Sequence, residues 1–109
     1  MTYTPDKWLV VKIEGGKFPL TYKVFACWYG GYLNGDSWKL NSGITKVTKE
    51  EDFYLFEGYS GSIYKCHEKT YGIHMYGHGV LQNIINKSKE SGVNVETMPD
   101  DTSWLSLSY

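Results

Sequence analysis

Apolar and polar positions alternate with a period of two along the first two thirds of the chain, then change to a period near 3.6. Residues 8–13, WLVVKI, form a short β-branched run in which Leu9, Val11 and Ile13 share one face and Trp8, Val10 and Lys12 the other. Residues 20–29, LTYKVFACWY, set Tyr22, Val24, Ala26 and Trp28 against Lys23, Phe25, Cys27 and Tyr29. The turn-rich EGGKFP between them predicts an antiparallel hairpin. A weaker strand is expected at 44–48. A second hairpin is expected around residues 59–62, where Ser60-Gly61 suits a tight turn. The short connections imply an antiparallel meander, because a parallel pair needs a long crossover.

From Gly79 the period lengthens. Val80, Leu81, Ile84, Ile85 and Ser88 form one stripe of a helix over about 79–91. Lys87 and Lys89 suit the negative end of its dipole, and Gly92 is the expected left-handed cap. Residues 93–98 can return as a strand, and 104–109 alternate like an edge strand or a tail. The expected class is therefore α+β: one antiparallel meander sheet of about four to six strands, with one helix from the C-terminal half packed on a face. Residues 1–109 make a single domain.

Composition sharpens this. Aromatics reach 17%, with ten tyrosines. Tyrosine serves both exposed strand positions and binding surfaces. Eleven basic and 12 acidic residues leave a charge of −1, which argues against a duplex nucleic acid partner. No apolar stretch is long enough to span a bilayer and no signal peptide is visible, so a cytoplasmic setting without membrane contact is expected. Two cysteines are too few for a disulfide scaffold, and Cys27 and Cys66 should be free, buried thiols. Low net charge and aromatic faces leave room for a homo-oligomer.

The most unusual stretch is WYGGYLNGDSWKLNSGI, residues 28–44, with four aromatics, four glycines, two asparagines and an aspartate. Asn34-Gly35 is a strong type I′ turn signal, so the stretch can be two tight turns whose aromatics pack back on the sheet. It can equally be a shallow site, with Trp28, Tyr29, Tyr32 and Trp38 as stacking faces and Asn34, Asp36, Ser37 and Asn41 as polar readers. Such a surface can hold a nucleobase or a protein partner. Catalytic signatures are weaker. Cys66 and His67 are adjacent, and His74 and His78 are spaced i, i+4, a basis for a small hydrolase or metal-dependent enzyme. Adjacent strand residues point to opposite faces, however, and no nucleophile elbow, phosphate loop or paired-cysteine metal motif is present. No cofactor or metal is implied.

The segments GDSWKLNSGI at 35–44, SGSIYKCH at 60–67 and MPDDT at 98–102 resemble those of small accessory proteins of tailed bacteriophages. The likeness covers roughly residues 8–72 and the tail from about 93. It implies a setting, the cytoplasm of an infected bacterial host, and assigns no residue a role. The leading expectation is a non-catalytic inhibitor or sequestering protein that acts on a host defence or regulatory component, either a protein or a small nucleotide-like ligand. The enzyme above and a minor structural or assembly factor are the alternatives.

Overall fold

The computed structural model describes residues 1–30 and 35–109. Among them are eight strands and one α-helix. The strands are β1 (Thr2–Tyr3), β2 (Lys7–Gly15), β3 (Phe18–Tyr29), β4 (Asp36–Leu40), β5 (Ile44–Glu50), β6 (Phe53–Gly58), β7 (Ile63–His67) and β8 (Val93–Thr97). The helix α1 spans Met75–Glu90.

The α+β class and the helix on a sheet face are as expected, but the strands divide into two four-stranded sheets. One has the order β1-β7-β6-β5, the other β4-β3-β2-β8. All pairings are antiparallel except β1 with β7, where Thr2 lies opposite Ile63. The first sheet covers one face of β2 and β3, and α1 covers the other. That is why both faces of the WLVVKI run are apolar. Trp8, Val10, Val24 and Ala26 meet Ile44, Phe56, Tyr64 and Cys66 in the core between the sheets. Leu9, Val11, Phe25 and Cys27 meet Ile73, Leu81 and Val95 in the core beneath the helix.

Trp8 is the hub of the inter-sheet core. It is fully buried, its ring lies 4.7 Å from Tyr71, 5.3 Å from Phe56 and 5.9 Å from Trp104, and its Nε1–H donates to the His67 carbonyl at 2.8 Å. Tyr71 ties the layers further. Its hydroxyl donates to the Met98 carbonyl at 2.5 Å and accepts from the Val10 N–H at 3.2 Å.

Two boundaries differ from the sequence reading. The helix begins at Met75, four residues before the expected start, and Gly77 sits inside it, buried against the sheet. A Cβ added at Gly77 would come within 2.9 Å of Cys27 Sγ, so glycine here permits close approach of helix and sheet. At the other end Gly92 adopts φ +75° and its N–H donates to the Lys89 carbonyl, as a left-handed cap requires. The tail is not a strand. Trp104–Ser106 form a 3₁₀ turn that inserts the Trp104 indole into the inter-sheet core. Burial of that large ring outweighs the local alternation.

Candidate functional site

Strand register decides which members of the 28–44 stretch can act together. Opposite Trp28 stands Ser37, and opposite Ala26 stands Lys39. These side chains share the face that looks toward the first sheet. Opposite Tyr29 stands Asp36, and opposite Cys27 stands Trp38, on the helix-facing side. The eight residues expected to form one site therefore divide. Trp28 and Ser37 lie on one face. Tyr29, Asp36 and Trp38 lie on the other. Tyr32 and Asn34 lie outside the described residues. Asn41 is buried.

Asn41 has a structural part instead. Its Oδ1 accepts from the Val24 N–H at 2.9 Å and the Gly43 N–H at 3.3 Å, and its own N–H donates to the Val24 carbonyl at 3.0 Å. It continues the β4 pairing of β3 past the strand end, where the chain crosses to the other sheet. Asn41→Ala strands two buried backbone donors. We expect a loss of about 1–3 kcal/mol in urea unfolding with the groove described below unchanged.

On the first face, the edge strands β1 and β4 leave the sandwich open. Thr2, Tyr3, Thr4, Trp28, Ser37, Trp38 and Lys39 line a groove of about 530 Å³. The segment after β1 is strapped to the end of β3. Trp28 Nε1–H donates to the Thr4 carbonyl at 3.0 Å, and the Tyr29 N–H donates to Asp6 Oδ2 at 2.7 Å. The Tyr3 and Trp28 rings meet edge to face at 6.2 Å, and Tyr3 rests on Tyr64 at 5.1 Å. The Lys39 ammonium lies over the Tyr3 ring, 5.2 Å from its centre, and makes no ion pair among the described residues. Lys39 is the single charged residue of the lining among the described residues. The Trp38 ring is turned to the other side, tilted against Phe25 at 5.7 Å, so Trp28 is the indole of the groove. Tyr3 and Lys39 are the functional candidates that sequence pattern passes over: Tyr3 sits in a two-residue parallel strand that carries no periodic signal, and Lys39 reaches the groove only through the β3–β4 register.

The helix-facing side is built more tightly. Tyr29 stacks on His74 at 4.5 Å and 14°, and its hydroxyl accepts from the His74 N–H at 3.1 Å. Burial raises the Tyr29 phenol, and the nearby Cys27, Asp36 and Asp6 add to the rise. Cys27 is pushed up to about 11, first by burial and then by the Asp36 carboxylate.

The Cys/His residues are not brought together. Cys66 is fully buried between the sheets, and burial holds its thiol well above the ordinary range. His67 is on the outer face of the first sheet, its Nδ1 accepting from the Lys69 N–H. His74 and His78 belong to the helix layer. No group of three or more histidine, cysteine, aspartate or glutamate side chains suited to a metal occurs among the described residues. No described helix is long and apolar enough to cross a membrane.

Two measurements follow from the thiols. Both cysteines are free and buried, so a disulfide reagent at pH 8 should label neither in the native state and both after unfolding. Rapid native labelling of Cys66 would contradict this geometry. Stability should also fall at alkaline pH. Cys27, Tyr71 and Tyr109 are raised to about 11, 12 and 12, mainly by burial. Between their unfolded and folded values the unfolded chain sheds protons that the folded chain keeps, so each rise in pH favours unfolding. The stabilisation these groups offer is whole below about pH 9 and is lost as pH climbs toward 12. A urea midpoint unchanged from pH 8 to pH 11 would refute it.

Compared with protein-family models, curated proteins and solved structures, the chain matches none.

Proposed function

We propose that the protein is a non-catalytic binding protein that sequesters a host component, a protein or a small nucleotide, in the cytoplasm of an infected bacterium. The observation that carries this reading is the β1–β4 groove. It is open, it is lined by Tyr3 and Trp28, and it holds a lysine without an ion pair among the described residues. Its walls are fixed in advance by the Trp28–Thr4 and Tyr29–Asp6 hydrogen bonds, which lowers the ordering cost of binding. The placement of Cys66 in the inter-sheet core, of His67 on the outer face of the first sheet and of His74 and His78 in the helix layer supports binding over catalysis. The phage setting comes from the resemblance of the 35–44, 60–67 and 98–102 segments.

Native mass spectrometry of the protein recovered from infected cells tests the reading. A retained ligand or partner is expected on the unaltered protein and lost from Tyr3→Ser. Tyr3→Ser should still give the native charge-state distribution, since Tyr3 lies at the edge of the core. Turnover of a chromogenic ester or phosphate that depends on Cys66 or His67 would overturn it.

A further inference from the structure

Among the described residues Lys39 is the only charge in the groove lining, and it stands over an aromatic ring with no carboxylate paired to it. A cation beside half-buried rings that line an open groove complements a ligand that is planar at one end and anionic at the other. We infer that the β1–β4 groove binds a nucleoside monophosphate, its base against the Tyr3–Trp28 corner and its phosphate on the Lys39 ammonium. The inference rests on the groove being the recognition site.

Size and charge choose among the occupants of an aromatic groove. The volume of about 530 Å³ is within the roughly 300–1,000 Å³ of small-molecule sites. Single-stranded nucleic acid needs a succession of stacking platforms along a positively charged track. Here there is one aromatic corner and one lysine. A peptide would add to the free edge of β4, but that strand carries Asp36 and Lys39, and charges on an edge disfavour strand addition. The Ser37 hydroxyl, on the same face as Trp28, can accept from or donate to a ribose hydroxyl. Lysine is a flexible point charge that suits a terminal phosphate, and its resting place over Tyr3 keeps it at the groove until the phosphate arrives.

The test is titration of the full chain with adenosine monophosphate, followed by amide and indole NMR. Saturable shifts are expected at the Trp28 indole N–H and at Ser37 and Lys39. Adenosine and ribose 5-phosphate, each lacking one half of the ligand, should bind about tenfold or more weakly. Lys39→Gln, an exposed change on an edge strand, should keep the melting temperature. It should weaken adenosine monophosphate by about tenfold or more, the scale of a lost charge-assisted contact, and leave adenosine unchanged. Absence of saturable shifts at millimolar nucleotide overturns the inference, as does an undiminished affinity in Lys39→Gln. If no nucleotide binds but a partner retained from infected cells is lost from Tyr3→Ser, the ligand class is wrong and the sequestering reading stands. If neither is seen, both fail.

Discussion

Trp8→Ala should cost the chain about 4–6 kcal/mol and bring it close to unfolding at room temperature. The indole is fully buried and touches rings from three other parts of the chain, Phe56 in β6, Tyr71 before the helix and Trp104 in the tail. Truncation of a buried tryptophan costs about 3–5 kcal/mol. The His67 carbonyl loses its donor as well, for roughly 1 kcal/mol more. A domain of this size holds about 5–15 kcal/mol in total, so a sum of about 4–6 kcal/mol removes nearly all of the margin at the low end of that range and about half at its middle. Near-UV circular dichroism should collapse while much of the far-UV signal persists. Trp8→Phe keeps one ring in the cluster and should stay folded, with a loss of about 1–3 kcal/mol. A cooperative urea transition for Trp8→Ala within about 1 kcal/mol of the unaltered protein would refute this account of the core.

Gly77→Ala and Gly79→Ala should shift stability in opposite directions. Both replace a glycine inside α1, so each gains about 1 kcal/mol of helix propensity. Around Gly79 a new methyl group meets nothing within 4 Å. At Gly77 it would lie 2.9 Å from Cys27 Sγ and 3.1 Å from Ile73 Cβ. The propensity gains cancel in the comparison, and the difference between the variants measures the overpacking, about 1–3 kcal/mol. Cys27→Ala removes the sulfur and should recover most of that difference in the double variant, a coupling that independent sites would not show. Equal effects of the two glycine substitutions would mean that the helix does not sit this close to β3.

The same two glycines explain where the sequence was hard to read. Local pattern located α1 from Gly79 onward, because Val80, Leu81, Ile84 and Ile85 carry the stripe. It missed the first turn, since Met75, Tyr76 and His78 are exposed and Gly77 resembles a helix breaker. Face assignments in β2 and β3 were legible residue by residue, because alternation depends only on the pleat. The division into two sheets was not. Trp8, Val10, Leu9 and Val11 show that both faces are buried, but nothing local says whether a helix or a second sheet covers each one. β1 was invisible for the same reason: two residues in a parallel pair, held by the Trp28–Thr4 and Tyr29–Asp6 bonds, depend wholly on tertiary contacts. The site was legible by region but not by face. Pattern singled out Trp28, Ser37 and Trp38, and only the β3–β4 register turns the Trp38 ring and Asp36 to the helix side and Lys39 to the groove, while Tyr3 enters from β1.

That separation of faces supplies the most direct test of the central claim, that recognition uses the β1–β4 groove. Lys39 and Asp36 are three positions apart on the same edge strand, both exposed, one on each face. Charge reversal at Lys39 alters the groove and leaves the helix side untouched. Asp36→Asn does the converse. The measurement is the fraction of protein carrying its retained ligand or partner, read by native mass spectrometry on Lys39→Glu and Asp36→Asn prepared side by side with matched melting temperatures. The account predicts loss of the bound species from Lys39→Glu and full retention by Asp36→Asn. Retention by Lys39→Glu, or loss from Asp36→Asn alone, would contradict it and move the site to the face of Tyr29 and Trp38.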